Sequence, residues 1–81
     1  MVKNALKAID CLSRNLRLIR EAKGLSLSQL AEMSGLSKQS IWNFENGARF
    51  PSSEAIASVC ESLKIEETDL FDPKIKIITK D

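Results

Sequence analysis

The chain contains no histidine, only three glycines and only two prolines among its 81 residues. Without histidine it lacks the commonest metal ligand and the side chain that most readily acts as a general base near neutral pH. The glycines form no phosphate-binding loop. The paired acids Glu66 and Glu67 suit a helix start, where they favour the helix dipole. We therefore expect no catalytic site, no metal and no cofactor.

Long apolar runs are also missing. No stretch approaches the roughly 18 consecutive apolar residues of a membrane span, and the first residues lack the apolar region of a signal peptide. Cys11 and Cys60 are not spaced as a CxxC motif, so reduced thiols are expected. These absences predict a cytoplasmic protein without a membrane partner.

Charge is nearly balanced overall, at +1, but it is unevenly distributed. Residues 14–50 hold six basic and three acidic side chains, whereas residues 51–81 hold four basic and seven acidic ones. A protein that presents one face to DNA needs a local positive field rather than a high overall charge. The distribution is therefore compatible with nucleic-acid binding through the first of these segments.

Apolar spacing and capping residues predict five helical segments. The first covers residues 12–23, with Asp10 or Ser13 as its cap and Gly24 at its end. Helices at 27–33 and 38–46 follow caps at Ser26 and Ser37. Ser52 caps a fourth helix, whose apolar stripe includes Cys60 as core filler, and residues 68–71 form a short fifth helical turn.

The two ends of the chain are open to more than one interpretation. Residues 2–11 keep helical apolar spacing, so they either continue the first helix or form a helix kinked near Asp10. Residues 74–80 alternate and are rich in β-branched side chains, which favours a strand. That strand pairs with a second copy of the chain, pairs with another segment or stays loose. The predicted organisation is an N-terminal extension (1–11), one domain (12–72) and a tail (73–81).

Residues 12–71 resemble the Cro/C1-type helix-turn-helix family, the phage-repressor-like regulators also known as the XRE family. The residues that carry the resemblance occur in order and at the family's spacing. They are Leu16, Arg17, Arg20, Leu30, Ala31, Gly35, Leu36, Ser37, Ser40, Ile41, Phe44, Glu45, Asn46, Gly47, Arg49, Pro51, Leu63, Leu70 and Phe71. The resemblance implies an all-α, five-helix lambda-repressor-like domain, to which the N-terminal helical extension and the C-terminal strand are optional additions.

The resemblance also implies roles for individual residues. The helix at 38–46 is expected in the DNA major groove, with base contacts from Lys38, Gln39, Ser40 and Asn43. Phosphate contacts are expected from Ser26, Ser37, Asn46 and Arg49. Arg20 and Glu45 are expected to form a structural ion pair between the first and third helices. The residues themselves leave a simpler interpretation open, in which the polar side chains are merely solvated and Ser26 and Ser37 only cap helices.

Two residues depart from the family pattern. Leu27 stands where members often carry a glutamine that touches DNA. Trp42 is unusual on an outward position of the third helix, where it either packs on the sugar-phosphate edge or covers the junction with the second helix. Packing within the protein is the favoured interpretation, because large aromatic side chains gain most from burial.

The leading functional hypothesis is a sequence-specific transcriptional regulator, of repressor or controller type, that binds a pseudo-palindromic operator in double-stranded DNA as a homodimer. The alternative is a protein-interaction module with the same fold and weak or no DNA binding, such as an antitoxin subunit with a toxin as partner. An enzyme is the weakest hypothesis, since neither cysteine has a recognisable base beside it.

Overall fold

The computed structural model describes residues 2–75, and for residues 2–7 the backbone alone. Five helices follow one another: α1 (Val2–Ala22), α2 (Leu27–Ser34), α3 (Lys38–Glu45), α4 (Ser53–Leu63) and α5 (Glu67–Leu70). Within residues 2–75 there is no strand. The predicted all-α, five-helix fold is confirmed, and none of the described helices is long and apolar enough to cross a membrane.

The first helix is uninterrupted from Val2, so residues 2–11 are part of it. Asp10 and Ser13 therefore lie inside α1, and the prediction that one of them caps its start is wrong. The apolar spacing that begins at Val2 is what carries the helix past them. The Ser13 Oγ instead donates a hydrogen bond to the carbonyl of Phe44, over 2.8 Å, at the end of α3.

The predicted caps of the next three helices are present. Ser26 accepts from the amide of Gln29, whose side chain accepts in return from the Ser26 amide, which completes a capping box. Ser37 and Ser52 accept from the amides of Ser40 and Ala55 in the same way. Each cap satisfies a helix amide that has no partner within its own helix.

One apolar core joins all five helices. Helix α1 contributes a stripe spaced by three and four residues and packs against α3 and α5, while α2 packs against α3 and α4. The buried apolar side chains are Leu12, Leu16, Ile19, Leu30, Ala31, Ile41, Phe44, Ala55, Val59, Cys60, Leu63 and Leu70. Cys60 fills core space as predicted.

A buried asparagine attaches the C-terminal segment to α1. Asn15 is 0% exposed, and its Nδ2 lies 2.7–3.1 Å from the carbonyl oxygens of Asp69, Leu70 and Asp72. Arg14 donates through two nitrogens to the Asn15 Oδ1. After this attachment Ile75 packs against the core. The predicted strand at 74–80 lies largely outside the described residues.

Candidate nucleic-acid interface

Helices α2 and α3 form a helix-turn-helix unit whose turn consists of residues 35–37. Gly35 ends α2 in the left-handed conformation, with φ 73°, a region that a side chain other than glycine enters at a cost. The amide of Leu36 then returns to the carbonyl of Ala31 over 3.0 Å. Ile41 and Phe44 of α3 are buried, so the core determines which face of α3 remains exposed.

The exposed face of α3 carries two amide side chains in contact. The Gln39 Nε2 donates to the Asn43 Oδ1 over 3.0 Å. Because a side-chain amide nitrogen has two hydrogens, Gln39 keeps one free donor and its carbonyl acceptor, and Asn43 keeps its own NH₂ group. The pair therefore holds a donor and an acceptor near each other on the outer face of the helix.

The first turn of α3 contains a pair of hydroxyl groups. The Ser40 amide donates to the Ser37 Oγ over 3.0 Å, and the Ser37 Oγ lies 2.9 Å from the Ser40 Oγ, to which it donates. In this arrangement the Ser37 hydroxyl caps the helix and uses its proton within the protein. The Ser40 proton remains available to an outside acceptor, as does that of Ser26, whose Oγ accepts from Gln29.

The loop after α3 begins with a second tight turn. Asn46 donates from Nδ2 to the carbonyl of Trp42 over 2.8 Å and keeps one amide hydrogen and its own carbonyl. Gly47 has φ 69°, and the Ala48 amide returns to Asn43 over 2.9 Å. Arg49, two residues further on, is exposed. Asn46 and Arg49 thus lie on one short loop at the end of α3.

Arg20 and Glu45 form an ion pair beneath this surface. The Arg20 Nε and Nη2 donate to the two carboxylate oxygens of Glu45, over 2.6 and 2.9 Å, and Nη1 donates to the Leu25 carbonyl over 2.7 Å. The hydrogen bond to Glu45 raises the pKa of Arg20 above its ordinary value, against the opposing effect of burial. Only 4% of the Glu45 side chain is exposed. Its charge is therefore compensated inside the protein.

Because Glu45 is buried in its ion pair, the exposed charged residues within 26–50 are Glu32, Lys38 and Arg49. Their net charge is +1. Lys38 lies at the start of α3 and Arg49 just beyond its end. The N-termini of α2 and α3 also carry the positive ends of their helix dipoles and amides without helical partners. An anionic ligand would meet cationic or hydrogen-bond-donating groups at both ends of α3.

The two departures from the family pattern have different surroundings. Leu27 is half-buried and packs against the core. Trp42 is 45% exposed and lines a shallow groove with Lys38 and Gln39. The favoured expectation that Trp42 covers the junction between α2 and α3 stays a prediction.

The structural roles of two residues were not predicted from the sequence. Ser13 braces the end of α3 from α1, and Asn15 holds the C-terminal segment. A signal for Asn15 was present in the chain. It lies three residues after Leu12 and four before Ile19, on the apolar face of α1, where a polar side chain must find partners.

Comparison with known proteins agrees with this geometry. A family model described as "Helix-turn-helix domain" matches residues 12–70. The HTH-type transcriptional regulator SlrR of Bacillus subtilis is 37% identical over 70 residues, which are 85% of this chain and 46% of that protein. A putative HTH-type transcriptional regulatory protein of Methanocaldococcus jannaschii is 34% identical over 61 residues, which are 72% of this chain and 19% of that protein. The chain thus spans less than half the length of both curated relatives.

Solved structures show the same fold. The restriction-modification controller protein C.AhdI from Aeromonas hydrophila superposes with a TM-score of 0.75 at 36% identity, covering 78% of this chain and 96% of that one. The clp gene regulator ClgR from Corynebacterium glutamicum gives a TM-score of 0.72 at 36% identity, covering 78% and 82% of the two chains. The fold thus defines a helix-turn-helix domain of the kind found in transcriptional regulators. The chain belongs to the Cro/C1-type helix-turn-helix family of transcriptional regulators.

Proposed function

We propose that this protein is a sequence-specific double-stranded DNA-binding regulator that inserts α3 into the major groove. The observation that carries the proposal is the Gln39–Asn43 amide pair, which lies on the exposed face of a helix whose opposite face is buried in the core. Helices of this kind present their N-terminal residues to base edges in the major groove.

Base contacts are proposed for Lys38, Gln39, Ser40 and Asn43. Gln39 retains one donor and one acceptor, the combination that pairs bidentately with the N7 and N6 of adenine. Lys38 is exposed at the start of α3 and suits guanine O6 and N7. Ser40 offers its free hydroxyl proton, and Asn43 supports Gln39 while keeping its own NH₂ group for a neighbouring base.

Phosphate contacts are proposed for Ser26, Ser37, Asn46 and Arg49. Ser26 and Ser37 begin the two helices, where amides and the helix dipole attract an anion. The Ser37 side chain is occupied within the protein, so its contribution comes from the backbone amides at that helix start. Asn46 and Arg49 extend the phosphate-binding surface to the other end of α3.

The small size of the proposed base-contacting surface on α3 favours binding as a dimer. Helix α3 has eight residues, and a single such helix reaches few base pairs. Two copies related by a two-fold axis would read two half-sites separated by about one turn of DNA, roughly 34 Å. The operator would then be a pseudo-palindrome. A controller or repressor role is favoured by the likeness to C.AhdI, a restriction-modification controller protein that the chain covers over 96% of its length.

The proposal is tested by measuring binding to random-sequence duplex DNA by fluorescence anisotropy over a series of salt concentrations. Affinity should fall steeply as salt rises, because phosphate contacts release counterions. Arg49→Ala should lower the slope of log K against log salt by about one. The matched control is Lys64→Asn, which removes a charge just after α4 and keeps a residue that tolerates the left-handed conformation of this position.

The absence of binding at low salt would contradict the proposal and favour the protein-interaction module. An equal effect of Arg49→Ala and Lys64→Asn would show binding by charge alone, without the surface around α3.

A further inference from the structure

Trp42 is the only tryptophan of the chain, and 45% of it is exposed on the recognition helix. A large aromatic side chain gains more than most from being covered, and Trp42 lies beside side chains proposed to contact bases, so DNA bound there would cover it. The apolar surface here is a single ring with Lys38 and Gln39 as its neighbours in the groove. A protein interface needs about 1,000 Å² of buried surface, far more than one ring supplies.

The position of Trp42 around α3 brings it close to the proposed base-reading side chains. At about 100° per residue, Trp42 lies about 60° to one side of Gln39, and Asn43 lies about 40° to the other. Gln39 is thus flanked by an amide on one side and an indole on the other. A base pair next to the one contacted by Gln39 would meet the indole in the major groove.

The charge around the ring favours an anionic partner. Lys38 shares the groove with Trp42. The one acidic residue of α3, Glu45, is bound to Arg20 with its side chain 4% exposed. No exposed negative charge therefore lies on α3 to repel DNA. Of the groups exposed in the major groove, the 5-methyl of thymine is the apolar one, and it accepts contacts from apolar side chains.

We propose that the Trp42 indole packs against the 5-methyl group of a thymine adjacent to the base contacted by Gln39, and so selects thymine at that position of each half-site. This inference rests on the proposed function, since it requires α3 to lie in the major groove. It adds a specificity residue at a position that the family resemblance leaves without a role.

The test uses the operator that the wild-type protein selects from random duplexes. Each thymine is replaced in turn by deoxyuridine, which deletes only the 5-methyl group. At one position of each half-site, this replacement should lower the affinity of the wild-type protein about fourfold, which is the effect of losing one buried methyl group. Trp42→Ala should bind more weakly but be indifferent to that replacement, whereas Gln39→Ala should remain sensitive to it.

Tryptophan fluorescence gives a second readout, because Trp42 is the only tryptophan of the chain and the emission therefore comes from it. DNA containing the operator should quench or shift the Trp42 emission, and the deoxyuridine duplex should reduce that change. Circular dichroism of Trp42→Ala checks its fold, and Trp42→Leu, which keeps an apolar side chain, should regain part of the methyl dependence.

Deoxyuridine without effect at every thymine would overturn the proposal, as would an equal loss in wild type and Trp42→Ala. If the protein then still selects an operator, the proposed function stands and only the role of Trp42 falls. If no sequence is selected at all, both fall together.

Discussion

The guanidinium of Arg20 donates to both carboxylate oxygens of Glu45, over 2.6 and 2.9 Å, and to the carbonyl of Leu25 over 2.7 Å. One side chain of α1 thereby holds the last residue of α3 and the loop that precedes α2. Through the Arg20 guanidinium, α1 is hydrogen-bonded both to the end of α3 and to the loop before α2. The position of α3 is thus held by this group as well as by the core.

Removing one partner of this ion pair should be costly. We expect Glu45→Ala or Arg20→Leu to lower the free energy of unfolding by about 3–5 kcal/mol, because each leaves the other charge buried without its partner. Urea denaturation followed by circular dichroism measures this. The double variant should lose less than the sum of the two single variants.

The matched control is the neighbouring pair of Arg17 and Glu21, whose side chains are 63% and 52% exposed. Arg17→Ala should cost less than about 1 kcal/mol, since solvent screens an exposed pair. Equal losses for Arg17→Ala and Arg20→Leu would contradict a structural role for the buried pair.

Asn15 should be needed for the attachment of the C-terminal segment. Asn15→Ala should cost about 1–3 kcal/mol, because the carbonyls of Asp69, Leu70 and Asp72 lose their shared donor. Asn15→Asp should cost more, because an ionised carboxylate cannot donate and would face these oxygens.

Amide hydrogen exchange locates the effect. Exchange in α5 should accelerate in both Asn15 variants while α2 and α3 remain protected at moderate denaturant. Arg17→Ala is the control, since Arg17 is exposed on α1 and its ion pair with Glu21 lies within that helix. Uniform acceleration across all helices would show that Asn15 supports the whole fold rather than this segment.

The thiol of Cys60 should be unreactive in the folded protein. Burial, followed by the charges of Glu67, Asp69 and Glu66, raises the pKa of Cys60 from its ordinary 9.0 to about 11. The half-buried Cys11 should react first with a disulfide reagent at pH 8, and Cys60 only on unfolding.

The same shift predicts how stability depends on pH. The folded state holds the Cys60 proton more tightly than the unfolded state, so its contribution is complete below pH 9 and declines between about pH 9 and 11. Cys60→Ala should be less stable at pH 8 but lose less on going to pH 11, whereas Cys11→Ser should behave as wild type. Parallel curves for wild type and Cys60→Ala would contradict the shift.

Features that depend on neighbouring residues in the chain were predictable. The capping box at Ser26 and the caps at Ser37 and Ser52 follow local rules, and so does the left-handed end of α2 at Gly35. The left-handed end of α4 was not predictable, because Lys64, with φ 59°, adopts there a conformation that favours glycine. Packing of the following Ile65 against the core accompanies this turn.

Features that depend on distant residues were predicted less well. The hydrogen bond from Ser13 to Phe44 joins residues that are 31 positions apart, and no local sequence pattern predicts it. The helical position of Trp42, set by the burial of Ile41 and Phe44, leaves it partly exposed. The resemblance predicted that the proposed base-contacting residues lie on the helix that is α3. The burial of Ile41 and Phe44 explains which face of α3 is exposed.

Selection of binding sites from random duplexes shows whether α3 reads base edges. Wild-type protein should enrich a short inverted repeat, and Gln39→Ala should relax the preference at one position of each half-site, while Arg49→Ala weakens binding to all sequences alike. Base reading by α3 would be contradicted if the wild-type protein enriched no sequence. It would also be contradicted if Gln39→Ala enriched the same sequence with the same preference at every position.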